Sequence, residues 1–377
     1  MPSTKGDVYM EILKIALTGG PCGGKTTSIQ AIEEEFKEKG YHVIVVPEAA
    51  TILINSGIRP FGNNALRMDG FQKYVMETQL FLEEQATKAA KEIDAPTIIV
   101  CDRGLLDDKA YVSDETFKKL IKDFNVTQFE LLNRYNLVIH LTTAADGKEE
   151  YYTTSNNGAR IETPEEARQK DRRTLESWLG HDNLKIMGND TDFETKIANV
   201  IREIYQMLKA PYPIQKQEKY LVDTFDKELI MQLHPVIIDI EQYVQDKDNG
   251  DIIYRKSTKD NETKYTKITK TDTQTPEERI VTRKNISEDE YYSNMPSNIK
   301  PIRKRRYCFA YQNQYFRLDE FESGLTILEI EDTNKTRRRV FPNFVSVLED
   351  VTTNPDYKNV AIYNRLNATQ KTYQKKC

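Results

Sequence analysis

Two stretches of this chain place residue types at spacings suited to phosphate chemistry. The first is GGPCGGKTT, residues 19–27, in which Gly19, Gly24, Lys25 and Thr26 satisfy G-x-x-x-x-G-K-[ST]. An apolar run of strand length precedes it and a helical pattern follows, which is the context this spacing requires. Glycines free successive backbone N–H groups to face an anion, so the loop of Gly20, Pro21, Cys22 and Gly23 would wrap a phosphate chain. The helix start at Lys25, Thr26 and Thr27 adds partial positive charge. Lys25 reaches the terminal phosphates, and the Thr26 hydroxyl can hold Mg²⁺. The second stretch is QKQEKYLVD, residues 215–223, whose alternation sets Gln215, Gln217 and Lys219 on one face of a strand. Two neutral amides and one ammonium share that face, and amides are poor ligands for hard cations.

Other candidates surround these two. An apolar strand ends in VCDRG, which puts Asp102 where a carboxylate would orient magnesium, with Arg103 beside it. VVPEAA ends another strand at Glu48, which could face a phosphoryl acceptor or merely cap the next helix. Asp102 and Glu48 are therefore the candidate catalytic groups, and Thr26 with Asp102 the candidate metal ligands. In the polar segment 144–173, Arg160, Arg168, Arg172 and Arg173 either close over phosphates as a lid or pair with neighbouring glutamates on a solvated helix. No N-K-x-D sequence occurs in this half, so the choice between ATP and GTP is not readable.

In the second half, basic residues recur on strand-like stretches: Arg255, Lys270, Arg283, Lys304 and Arg306, with Glu329 and Glu331 on a late strand. Alternation in RKRR, residues 303–306, forces one pair inward and the other outward, and we expect Lys304 and Arg306 inside. Cations converging in one lumen repel unless an anion neutralises them, and phosphate is the expected anion.

The elements that must position these residues change character once along the chain. Up to about residue 209, the apolar runs ILKIALTGG, HVIVVPE, TIIVCDRG and NLVIHLTT alternate with amphipathic helical stretches, the pattern of a parallel sheet covered on both faces. APYPIQ, residues 210–215, then supplies two prolines in four residues. Beyond it, period-two alternation dominates, with helix expected only near 287–293 and 342–350. The expected division is a tail at 1–11, a first domain at 12–209, a linker at 210–214, a second domain at 215–365 and a tail at 366–377. The chain's 377 residues suit two domains. Charge is uneven: residues 1–210 hold 26 Lys and Arg against 33 Asp and Glu, whereas residues 211–377 hold 28 against 26. The four cysteines show no zinc or disulfide spacing, and no apolar run approaches membrane-spanning length, so a cytoplasmic location is expected.

Together GGPCGGKTT, PEAA, DRGLLDDKAY and HDNLKIMGN resemble P-loop kinases of the nicotinamide-riboside-kinase and thymidylate-kinase type, within the AAA-like domains, over most of residues 12–208. The last stretch would set Asn189 near the nucleobase. From 214 to 363, QKQEKYLV, IDIEQYVQ, IIYRKS, KYTKITK, ISEDEYY, IRKRRYCF and LEIED resemble, in order, the CYTH (triphosphate tunnel) superfamily. Its first strand usually reads E-x-E-x-K, and here glutamines stand at both acidic positions. The fold class implied is an α/β P-loop NTPase fold followed by an antiparallel β-barrel of CYTH type. The combination is similar to the TRPL-translocation-defect family. That resemblance implies GTP or ATP with Mg²⁺ in the first domain and a phosphoinositide, phosphatidic acid or other polyphosphate in the second. It also implies peripheral membrane contact and a trafficking or regulatory role, with no nucleic acid as partner. Two alternatives stand beside it: a small-molecule kinase with a regulatory barrel, and a scaffold that retains bound nucleotide.

Overall fold

The computed structural model describes residues 12–152, 163–208, 214–275, 278–296, 299–330 and 339–374. The chain forms two compact units, Met1–Pro211 and Tyr212–Cys377. In the first, the order is β1 (Ile12–Thr18), α1 (Lys25–Glu38), β2 (His42–Val46), α2 (Ala49–Asn55), α3 (Met68–Glu92) and β3 (Thr97–Asp102). A 3₁₀ turn (Leu105–Tyr111), α4 (Asp114–Asp123), α5 (Gln128–Asn133), β4 (Leu137–Leu141), α6 (Pro164–Ser177), β5 (Leu184–Met187) and α7 (Phe193–Leu208) follow. The apolar runs become five parallel strands in the order β2-β3-β1-β4-β5. Their residues are buried on both faces because helices cover both, which is why they read as continuous hydrophobic stretches. Leu13, Ile15 and Leu17 of β1 pack with Ile32 and Phe36 of α1 and with Val200 and Ile204 of α7.

Register sets the functional edge. Leu17 lies beside Asp102 and Thr18 beside His140, so the loop after β1 emerges between the carboxyl ends of β3 and β4. Val46 pairs with Cys101, which brings Glu48 to the same edge. Ligands of open α/β sheets gather at that edge.

The second unit contains β6 (Ile214–Lys216), β7 (Glu218–Phe225), α8 (Lys227–Met231), β8 (Val236–Lys247), β9 (Gly250–Lys259), β10 (Glu262–Asp272), β11 (Glu278–Asn285) and α9 (Glu288–Ser293). It continues with β12 (Ile302–Tyr311), β13 (Gln314–Phe321), β14 (Thr326–Ile330), β15 (Val345–Asp350) and α10 (Asn359–Gln374). All pair antiparallel in one ten-stranded sheet, β15-β7-β14-β13-β12-β8-β9-β10-β11-β6. The expected closed barrel is corrected: among the described residues no ladder joins the two ends of the sheet. The chain itself curls it instead. β6 forms one edge, yet it passes through the single residue Gln217 into β7, next to the opposite edge. Consecutive Cα atoms stand about 3.8 Å apart, so the two ends must approach within a few residues' span. The helix expected near 342–350 is likewise corrected. Val345–Asp350 is a strand that pairs with β7 through two register shifts, while the helices at α8 and α10 went unread.

One face of this sheet is polar. Paired registers place Lys219 beside Glu329, Glu329 beside Arg317, Arg306 beside Asp319, and Lys304 on the same side as Arg306. Lys304 and Arg306 are buried, whereas Arg303 and Arg305 are exposed and pair with Glu241 and Asp239. Alternation thus assigned the pairs as expected. The neutralising anion, however, comes from the chain. Asp319 accepts from Lys304 Nζ at 2.5 Å and from Arg306 Nε and Nη2 at 2.6 and 2.7 Å, and Glu329 accepts from Arg306 Nη2 at 2.8 Å.

Removing Asp319 would strand the buried Lys304 and leave the buried Arg306 with Glu329 alone. Asp319→Ala is expected to cost about 3–5 kcal/mol in urea unfolding, and Arg305→Ala, at an exposed pair, under about 1 kcal/mol. Equal costs would contradict this account of the ion cluster.

Candidate functional site

The loop after β1 is fixed by close packing. A Cβ at Gly19 would lie 2.1 Å from the Leu141 carbonyl oxygen, and one at Gly23 would lie 2.5 Å from it. Gly24 is left-handed, with φ +95°, and its missing Cβ leaves room for the Phe193 ring, which a Cβ would meet at 2.7 Å. Cys22, a non-glycine residue, is also left-handed at φ 56°, a conformation that turns consecutive amides toward one side. At α1, no side chain caps the N-terminus and its first turn holds no acid. Its free N–H groups and positive dipole end therefore remain available to an anion. Lys25 Nζ donates to the Gly19 and Gly20 carbonyls at 3.0 and 2.9 Å. Burial lowers its pKa to about 8; Arg103 adds to that effect, while Asp102, Glu48 and Asp107 oppose it.

At the neighbouring strand ends, Arg103 Nε donates to Glu48 Oε1 at 2.5 Å, and its Nη1 lies 3.6 Å from Asp107 Oδ2. Arg103 is itself left-handed, at φ 73°, a strained backbone of the kind that collects at functional sites. Burial would raise the Glu48 carboxyl, but Arg103 and the Thr51 hydroxyl hold it down to about 2. Asp102 Oδ1 is buried and finds no hydrogen-bond partner among the described residues, and burial raises its pKa. A buried carboxylate oxygen without a donor, close enough to Lys25 to act on its charge, fits a Mg²⁺ that takes most of its ligands from water and phosphate.

The arginine-bearing helix is tied to the loop through a residue that sequence reading passed over. Asp171 of α6 accepts from Gly20 N at 2.6 Å and Thr143 N at 3.2 Å, and His140 Nε2 lies 3.3 Å from it. Trp178, just past α6, donates from Nε1 to Asp107 Oδ1 at 2.6 Å, and Asp107 also accepts from Thr18. Arg168 donates to Ala145 O at 2.7 Å and pairs with Glu165; Arg173 donates to Val112 O at 3.0 Å; Arg172 is exposed. Arg160 lies outside the described residues. Asn189, read as a nucleobase neighbour, donates to the carbonyls of Thr143 and Asp146 at 2.7 and 2.8 Å and accepts from Lys196. Its amide braces the loop after β4.

In the second unit, Gln217, Lys219, Lys270 and Arg279 line a cleft with Val281, Thr352, Asn354, Tyr357, Lys358 and Asn359. Arg255 and Arg283 stand on the same face of the sheet, paired in register with Thr266 and Ile268; Arg255 donates to Gln242 at 3.1 Å. Arg279 bridges Asp251 and Asp272 at 3.0 and 2.8 Å. Glu329 serves Arg306, with Lys219 at 3.8 Å and Arg317 at 3.9 Å, and so is not available as a metal ligand. Glu331 and the Gln215 side chain lie outside the described residues. Asp319, Arg317, Arg279 and Asp251 were missed in the sequence, where the one signal was the two-residue spacing that puts Arg317 and Asp319 on one face of a strand.

Residues 14–196 match the family described as an AAA domain, in keeping with the parallel sheet and phosphate loop; this segment is a P-loop, nucleotide-binding type of domain. No curated protein matches the chain. Two crystal structures of one protein, NE1496, described as an inorganic triphosphatase and as a hypothetical protein, are similar at 22% and 23% identity, each with a TM-score of 0.28. The likeness covers 40% of this chain and 93% and 97% of theirs.

Burial lowers the Lys270 pKa from 10.5 to about 7, with Asp251 opposing. Between those values the unfolded chain holds the proton that the folded chain has released. Lys270 therefore makes stability rise with pH across that window, and its penalty is fully present below about pH 7. Lys270→Met is expected to stabilise the protein at pH 6 and to flatten the rise between pH 7 and 10; an unchanged pH slope in chemical denaturation would refute the assignment.

Proposed function

We propose that the protein binds a purine nucleoside triphosphate, GTP or ATP, with Mg²⁺ at the loop of Gly19–Thr26, and holds a second phosphorylated ligand on the cationic cleft of its second unit. The observation that carries the first part is the uncapped start of α1 beside Lys25, with the partnerless Asp102 oxygen across from it. Lys25 makes no ion pair among the described residues, so a phosphate would be its first full countercharge. Thr26 and Asp102 would hold the magnesium, which would offset charge on the terminal phosphates.

For the second unit we favour retention over hydrolysis. Gln217 stands in the cleft where an acid would recruit metal, and Asp319 and Glu329 are engaged by arginine and lysine. The cleft cations Lys219 and Lys270 suit a phosphorylated headgroup or a soluble polyphosphate, and the sequence resemblance points to phosphoinositide or phosphatidic acid and a peripheral trafficking role. A second reading is a small-molecule kinase. It is favoured by Glu48, an ionised carboxylate at the end of β2 clamped by Arg103 beside the phosphate loop, where it could accept a hydrogen bond from an acceptor hydroxyl.

Calorimetry with ATP and GTP tests the first part. Lys25→Ala should weaken binding roughly tenfold to hundredfold, the worth of one or two charge-assisted contacts, and Asp102→Asn should remove most of the Mg²⁺ dependence. Absence of nucleotide binding by the wild type would overturn the reading. γ-Phosphate transfer to a nucleoside or to nicotinamide riboside, lost in Glu48→Gln, would establish the kinase instead.

A further inference from the structure

From Gly57 to Met68 the first unit projects a loop away from its own core. Its root is firm: Ala49 and Leu53 of α2 pack on Phe71 and Val75 of α3, and Leu66 N donates to Arg59 O at 2.8 Å across the loop's neck. Arg59 Nε donates to Ile54 O at 3.0 Å. Beyond that neck every residue from Phe61 to Asp69 is exposed, and a Cβ at Gly57 or Gly62 would meet nothing within 4 Å. Large apolar side chains nonetheless occupy the loop and the first residue of α3: Ile58, Phe61, Leu66 and Met68 are 37, 44, 37 and 44% exposed. Single exposed apolar residues are ordinary, but four along one short stretch form a surface that water disfavours.

Charge says what the loop meets. From Ala49 to Met68 there is no Asp or Glu, although the chain carries 59 of them. Arg59 and Arg67 stand at either end of the apolar tip, and the Arg67 side chain is almost fully exposed, 3.4 Å from Asp69. Apolar residues that can enter the acyl boundary, flanked by guanidinium groups that can reach lipid phosphates, make up the composition of an interfacial membrane anchor. We propose that the loop of residues 58–68 inserts into the surface of an anionic phospholipid bilayer, as a membrane contact separate from the cleft of the second unit. The phosphate loop plays no part in it.

The test uses the full chain with vesicles of phosphatidylcholine, with and without phosphatidylserine. Phe61→Trp supplies the probe, because the native tryptophan, Trp178, is fully buried. Its emission is expected to shift to the blue with phosphatidylserine vesicles and to stay unchanged with neutral ones. Phe61→Ser with Leu66→Ser should weaken partitioning by about tenfold or more, and Arg59→Glu with Arg67→Glu should abolish it. Free phosphoserine should not compete. Lys270→Ala with Lys219→Ala should leave partitioning to phosphatidylserine intact. Should the serine variant float as well as wild type while the lysine variant does not, the loop proposal fails and the cleft reading survives. No flotation by wild type, or capture of a soluble protein in place of vesicles, also overturns it.

Discussion

A cation taken out of water must find an anion nearby, and the placement of carboxylates answers that demand in both units. Where Arg306 and Lys304 are buried, Asp319 and Glu329 face them; where Arg103 is buried, Glu48 and Asp107 do. Such pairs offset a desolvation cost of several kcal/mol per ion, and they fix geometry as much as they stabilise. Against this background Lys25 and Lys270 stand out. Burial depresses both to about 8 and about 7, and opposing carboxylates act on them from a distance. Each gains most from an anion that the chain itself does not bring into contact.

The same demand explains how much of the site could be read from sequence. The phosphate loop needed no partner to be recognised, since Gly19 to Thr26 carries its spacing locally and the strand before it is apolar except at Lys14 and Thr18. The inward choice of Lys304 and Arg306 was legible too, because a strand's side chains alternate. Asp319 was not. It lies on β13, in a stretch of mixed polar and aromatic residues, and its meaning arises from being paired across the ladder with Arg306. Cross-strand partners are set by topology, which a single sequence does not state. The strand at Val345–Asp350 was misread as helix for a related reason: its alternation is broken by two register shifts against β7.

Asn189 and Asp171 show how a polar residue at a site can serve the scaffold. Asn189 lies where a base-contacting amide was expected, yet its donors close on the carbonyls of Thr143 and Asp146. Asp171 reaches from α6 to the amides of Gly20 and Thr143, so the helix that carries Arg168 and Arg172 is bonded to the phosphate loop itself. Although burial would raise it, the Asp171 carboxyl is kept below its ordinary range by His140 and by those two amides. It remains an acceptor at neutral pH, and the loop and helix hold one geometry.

In the second unit the curl of the sheet and the cleft are one feature. β6 and β7 belong to opposite ends of the ladder order, and only Gln217 separates them in the chain. The cleft is lined by Gln217 itself, by Lys219 from one end of the sheet, and by Lys270 and Arg279 from strands near the other. Among the described residues no backbone ladder closes that seam, and the burial that depresses Lys270 is reinforced by repulsion from the Lys219 charge. An anion lodged between Lys219 and Lys270 would relieve that repulsion and bridge both ends of the sheet. Ligand binding and tightening of the curl would then be the same event.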